Sequence, residues 1–316
     1  MSDAGHRLNE IFLAYATNRQ SKVLREKTRL VHYTSAEVAA SIIRKREIWM
    51  RRATTMNDFM EVDYGINCLA RSYRGVSGDT FRNELDRLFP ALRPRLEKWF
   101  DGWVTGFRHD TFLTCFSEHR DDEDTLGRLS MWRAYGGSTG VALVLRNTAF
   151  LGTADALRVY TSPVAYMRPD DFAREFEAMG ERVRLHADFL KSQGEVVVDA
   201  NICNMFRFAV LSTKHPGFHE EREWRIIHSP SYEPSERVLR TVETIQGVPQ
   251  HVIKVPLRNY PDQGFVGAEI QDALDRIIIG PTKHPHVIAD AFCDLLRQVG
   301  LSDPEKKICI SDIPLR

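Results

Sequence analysis

The chain has 316 residues, with 43 basic and 43 acidic side chains, 43% hydrophobic residues and a formal net charge of zero. That balance argues against attachment to nucleic acid through bulk charge, and it leaves ample apolar material for a core. No stretch approaches the roughly 20 apolar residues of a membrane span, and the start has no apolar signal core, so the expected location is the cytoplasm, with no membrane partner. Five cysteines are scattered without a CxxC pair, which argues against a disulfide framework and a cysteine-rich zinc site.

In chain order, an amphipathic helix is expected around Leu8 to Tyr15 and a strand over Arg29 to Tyr33. Ser35 is placed to cap a helix through Val38, Ile42 and Ile43. Ile48-Trp49-Met50 reads as a short strand before the loop Ala53 to Asp58. From Phe59 to Trp103 the pattern is helical, with Leu85, Leu88, Leu92, Leu96 and Phe100 at three-to-four spacing. Thr111 to Ser117 alternates as a strand does, and Gly140 to Leu145 reads as a fully buried one. Between them lie a charged loop, His119 to Asp124, and a short helix holding Met131, Trp132 and Tyr135. Residues 170 to 212 are again helical, with a break near Gly194. Strands follow at Glu223 to His228, Val238 to Ile245, His251 to Leu257, Arg276 to Ile279 and Ile308 to Ile310, with a last helix over Val287 to Val299.

Strands at both ends with helical stretches between them do not make the strand-helix alternation of a doubly wound fold. The expectation is an α+β fold with a mixed or antiparallel sheet. It forms a single domain over 1–316, with helical insertions at about 59–104 and 170–212.

Four blocks could carry chemistry. His32-Tyr33-Thr34 ends a first strand, where side chains can line a cleft; a strand-end histidine bonding the next turn is the plainer account. Asn57-Asp58 after Thr54-Thr55 is cap chemistry that also suits a ligand contact, and Glu61 completes a first helical turn. Ser117 closes Cys115-Phe116-Ser117-Glu118, and Met131-Trp132-Arg133-Ala134-Tyr135-Gly136-Gly137 places Trp132 and Tyr135 three apart, on one helical face. They could stack on a ring, while core packing alone would account for Trp132. Paired glycines suit either close approach to a ligand or a helix C-cap. If a strand starts near Glu221, then Glu221, Glu223 and Arg225 share one face of Glu221-Arg222-Glu223-Trp224-Arg225. Aligned charges on a core-like strand either pair with each other or face a cleft.

Other chemistries find little support. Pro216-Gly217 interrupts His215 and His219, so no metal is expected. No nucleophile elbow, phosphate-binding Walker loop or dinucleotide glycine motif is present. The best basic patch, Arg44-Lys45-Arg46 with Arg51-Arg52, reads more readily as solvated positions at the end of a helix and on a strand rim.

Taken in order, the blocks Val31-His32-Tyr33-Thr34-Ser35, Thr55-Met56-Asn57-Asp58, Cys115 to Glu118, Met131 to Gly136, Glu221 to Arg225 and Ile277-Ile278-Ile279-Gly280-Pro281 resemble a bacterial family catalogued as domain of unknown function 2971. That resemblance runs over roughly residues 30 to 315. More distantly, a first-strand histidine, an aromatic middle block and a later strand glutamate are similar to the ADP-ribosyltransferase superfamily. The likeness implies a split sheet, with NAD as substrate. It gives Glu223 the catalytic role with Glu221 nearer the acceptor, and His32 the ribose. Tyr33, Thr34, Asn57, Ser117, Trp132, Tyr135 and Arg225 would complete the NAD site, the stacking aromatic being Tyr135, Trp132 or Tyr33. The chemistry is reasonable, because positive charge builds on the ribose as nicotinamide leaves and a carboxylate stabilises it. The acceptor would be a protein or nucleic acid, and a toxin or phage-defence role would fit. Two other readings stand beside it: a non-catalytic ligand-sensing or interaction module with a structural Glu-Arg pair, and a nucleic-acid-processing enzyme.

Overall fold

The computed structural model describes residues 3–55, 59–152 and 155–314. Its first elements are α1 (Asp3–Phe12), α2 (Ala14–Arg25), β1 (Arg29–Ser35), α3 (Ala36–Lys45), β2 (Glu47–Arg52), α4 (Phe59–Arg74), α5 (Asp79–Leu88) and α6 (Leu92–Asp110). Then come β3 (Phe112–His119), α7 (Leu129–Met131), β4 (Thr139–Leu145), β5 (Tyr160–Pro163), β6 (Ala165–Tyr166), α8 (Pro169–Leu185), α9 (Ala187–Gln193) and α10 (Glu195–Leu211). The last are β7 (Thr213–Lys214), β8 (Glu223–His228), β9 (Leu239–Ile245), β10 (Val248–Pro256), α11 (Ile270–Ala273), β11 (Leu274–Thr282), α12 (Pro285–Gln298) and β12 (Ile308–Ile310). The fold is mixed helix and sheet. Where the sequence reads as one domain, contacts group the chain into two compact units, each assembled from three segments.

The first unit comprises Met1–Ser21, Arg52–Thr111 and Ser162–His219, so both helical stretches fall in it. The leucine periodicity is real, since Leu85, Leu88, Leu92 and Leu96 are buried. It is carried by separate helices, because the chain turns at Gly75–Gly78 and again after Phe89. The helix expected over Leu8 to Tyr15 is likewise broken, at Leu13. Phe81, Phe176 and Phe206 pack edge-on or tilted at the centre, with ring centroids 5.5 Å apart for the closest pair. Glu61 does sit in the first turn of α4, but it also reaches Lys214, whose Nζ lies 2.5 Å away and is almost fully buried. Gly194, at φ +84°, separates α9 from α10 where the sequence places a break.

The second unit comprises Lys22–Arg51, Phe112–Thr161 and Glu220–Arg316. It is built on a ten-stranded sheet that runs β12-β11-β4-β1-β3. At β3 the sheet forks. Ser117 pairs with Val31 of β1 on one edge and with Glu223 of β8 on the other. β8 takes residues 112 to 117, so β2, the third partner of β3, shares the edge of β1 and leads on to β10 and β9. β1 pairs antiparallel with β3 and β4, as do β2 with β10, β3 with β8, β4 with β11 and β9 with β10, whereas β11 and β12 run parallel. Gln246 and Gly247, both at positive φ, make the tight turn joining β9 to β10.

Each face of this sheet has its own apolar cluster. On one, Leu30, Phe116, Trp224, Leu143 and Ile277 pack with α3 and α12 through Ile42, Ile43, Phe292 and Leu296. On the other, Val31, Tyr33, Ala142, Val144 and Ile278 pack with Met131 and Trp132. Ser35 closes β1 and caps α3, its Oγ accepting from the Val38 N–H at 3.3 Å.

Candidate functional site

Strand register decides which of the expected site residues can meet. Val31, Ser117 and Glu223 are direct neighbours across three strands, so their side chains share a face. Cys115 and Arg225 are neighbours in the next row on that face, to which Tyr33 also belongs. His32 and Thr34 alternate to the opposite face, where the His32 ring lies 5.2 Å from Phe116. The expected constellation of His32 across one cleft from Glu223 is therefore corrected: the sheet stands between them. The His32 ring does something else. Where β1 leaves β3 at the fork, its Nδ1 lies 2.9 Å from the Cys115 carbonyl oxygen and satisfies it in place of a ladder bond.

Glu223 and Arg225 form the centre of the candidate site. Both are almost fully buried, and the guanidinium meets the carboxylate in a two-point fork, Nε to Oε1 at 2.8 Å and Nη2 to Oε2 at 3.2 Å. Alternation on one strand produces this pair, as the sequence suggested. Glu221 lies outside the strand that aligns them. The strand begins at Glu223, Glu221 ends a short 3-10 turn (Pro216–Glu221), and Arg222 between them has φ +45°. Glu221 instead contributes its backbone, the carbonyl accepting from Ser117 Oγ at 2.6 Å.

Trp132 is not a stacking platform. It is 5% exposed, edge-on to Tyr33 with centroids 4.7 Å apart, and donates from Nε1 to the Leu126 carbonyl at 2.8 Å. Glycines make room for it: a Cβ on Gly127 or Gly280 would stand 2.6 or 2.7 Å from the indole. Tyr135 does not share its face. Trp132–Gly136 is a π-helical turn, and Tyr135 is 40% exposed while Trp132 is buried. Asn57 lies outside the described residues.

The residue that sequence reasoning missed is Arg128. Its guanidinium donates to the carbonyls of Glu118 at 2.8 Å and Glu220 at 2.6 Å, and to the Glu123 carboxylate at 3.1 Å. Its backbone N–H donates to Tyr33 Oη at 2.9 Å. It ties the loop after β3 to the segment entering β8. An arginine in a charged loop carries no local signal of such a role. Burial pushes the Tyr33 hydroxyl up to about 12 despite that N–H, so Tyr33 stays protonated at neutral pH. Burial alone would raise Glu123, yet hydrogen bonds from Arg128 and the Arg120 backbone, with Arg222 alongside, hold it below the usual carboxylate value.

Beside this clamp His119 is fully buried, Nε2 2.8 Å from Asp124, which also faces Arg29 at 2.9 Å. Burial lowers the pKa of both His119 and His32 below 6.5. The unfolded chain therefore takes up more protons below about pH 6.5, and the stability held at neutral pH is lost on acidification. The melting temperature is expected to fall from pH 7.5 to 5.5, and His32→Gln, which keeps a donor for Cys115, should flatten the slope. A melting temperature that does not move over this range removes both histidines as the cause.

Arg44, Lys45 and Arg46 are exposed at the end of α3, with Arg46 in its left-handed cap, as a solvated helix end requires. Among the described residues no cluster of His, Cys, Asp or Glu could hold a metal ion, and no helix is long and apolar enough to cross a membrane.

A family profile described as a protein of unknown function (DUF2971) matches residues 131–226, and over that span the chain is similar to the family. The blocks at Met131 to Gly136 and Glu221 to Arg225 lie inside the match; the others cited for the resemblance lie outside it. No curated protein and no solved structure matches the chain.

Proposed function

We propose that this chain is an NAD-using enzyme of the ADP-ribosyltransferase kind, with Glu223 as its catalytic carboxylate. The observation that carries the reading is a buried carboxylate, aimed by the Arg225 fork, in register with Ser117 beside the forked β3. A fork at this strand also suits the split sheet that the resemblance implies. A carboxylate oxygen can accept more than one hydrogen bond, so an oxygen held by Arg225 would also accept from the ribose 2′-hydroxyl. The bond from ribose C1′ to the pyridinium nitrogen breaks with its electron pair going to nicotinamide, which leaves neutral. The carboxylate stabilises the cationic sugar until an acceptor oxygen or nitrogen, or water, adds to C1′. No metal is required. Tyr135, exposed on the π-helical turn, takes the stacking role in preference to Trp132. His32 is assigned to the fork and drops out of the ribose contacts.

The test is release of free nicotinamide from NAD by the pure chain, offered protein, nucleic acid or water as acceptor. Glu223→Gln should cut release by about 10²–10³-fold, the scale of losing one electrostatic contact to developing charge. No turnover with any acceptor, and no heat of NAD binding, would sink the proposal. A second reading, a ligand-sensing or interaction module, is favoured by the engagement of both Glu223 oxygens with Arg225. It expects Glu223→Gln to lower stability and leave no activity to lose.

A further inference from the structure

The helical unit contains a cavity that the reading above does not use. It opens where Leu13 interrupts the chain between α1 and α2, and it encloses about 630 Å³ of empty space, part of it open to solvent. Its wall is apolar and partly adaptable, with Phe12, Phe176, Met179, Met205 and Phe208 supplying most of it. At the end of α10, Ser212 lines the same space. It is 6% exposed, and its hydroxyl is buried with no hydrogen-bond partner among the described residues. A hydroxyl left without a partner in an apolar wall marks a place where a ligand's polar group is expected. Arg182, the cationic side chain of the lining, is already neutralised: it donates to Glu175 at 2.9 Å and to the Ile11 carbonyl at 3.0 Å. No net charge is left to hold an ionic ligand.

We propose that this cavity binds an uncharged, largely apolar small molecule whose single hydroxyl or carbonyl meets Ser212. Apolar walls supply affinity through buried surface, and one convergent polar group supplies orientation, the usual division of labour in small-molecule sites. The site belongs to the first unit alone, so it stands or falls independently of Glu223.

The full chain can be titrated with 2-naphthol, naphthalene and 2-naphthalenesulfonate, followed by ligand fluorescence. Saturable one-site binding of 2-naphthol is expected, with naphthalene about tenfold weaker, the worth of one net hydrogen bond. Ser212→Ala should erase that difference. Ala209→Phe, which fills the cavity from a half-buried position, should weaken 2-naphthol by about tenfold or more. Should that variant fold poorly, Ala16→Phe fills the same space from α2. Absence of saturable binding overturns the proposal, as does full binding by both filled variants with unchanged melting curves. Equal affinity for the sulfonate overturns the uncharged class of ligand.

Discussion

Arg225→Met lowers the stability of the chain by about 3–5 kcal/mol, the cost of leaving a buried charge without its partner. The side chains of Glu223 and Arg225 are 5% and 2% exposed, so water cannot take over the lost contacts. The fork is bidentate, and one substitution removes both of its bonds. Replacing the two together, as Glu223→Leu with Arg225→Met, should recover part of the loss, because neither half of the fork is then left buried without the other. Urea unfolding of wild type, the single variant and the double variant checks this. A loss below about 1 kcal/mol in the single variant would place the pair among exposed ones and remove the basis for a preorganised carboxylate. Read beside the nicotinamide assay, the double variant separates the two functional readings, since turnover present in the wild type and lost from a folded double variant points to catalysis.

Trp132→Ala is expected to cost about 3–5 kcal/mol, as deletion of a large buried aromatic does. The indole is enclosed by residues from distant parts of the chain, with Tyr33 edge-on and Gly127, Gly140 and Gly280 against its ring. The reverse perturbation is equally specific. Gly280→Ala would put a Cβ 2.7 Å from the ring carbon Cε3 and 2.9 Å from Cδ2, and should cost about 1–3 kcal/mol by overpacking. Pairing Gly280→Ala with Trp132→Phe relieves the clash, so the two changes should cost less together than their sum. Strict additivity in thermal or urea unfolding would show that the glycine serves something other than the indole.

Much of the fold is legible residue by residue. Ser35 as a cap, Gly194 as a helix break and the strand at Glu223 to His228 are all found where the sequence places them. The Glu223–Arg225 pair is legible because both side chains sit on one strand, two residues apart. Glu221 breaks the same pattern, because the left-handed backbone of Arg222 ends the alternation and nothing in the side chain of an arginine announces it. On a 3.6-residue helix a spacing of three puts Trp132 and Tyr135 on one face, and the π-helical turn changes what that spacing means. The glycines around Trp132 carry no local signal, since the indole that requires them is remote from Gly280 in sequence. Arg128 is invisible for the same reason: its partners are backbone carbonyls of segments that only folding brings near.

By itself, then, the sequence determined most of the strands, the Ser35 cap, the Gly194 break and the Glu223–Arg225 pair on β8, because each depends on contacts within a few residues; the breaks at Leu13, Gly75–Gly78 and Phe89 came only with the folded chain. Only the tertiary structure decided which faces those rows share. Alternation sets His32 against Val31 on β1, and Trp224 against Glu223 on β8, by local geometry alone. Whether His32 then sides with Glu223 or with Trp224 depends on hydrogen bonds running from β1 through β3 to β8. A shift of one residue in either ladder would exchange the answer. That register is held by pairing between remote segments, and it places His32 beside Phe116, across the sheet from Glu223.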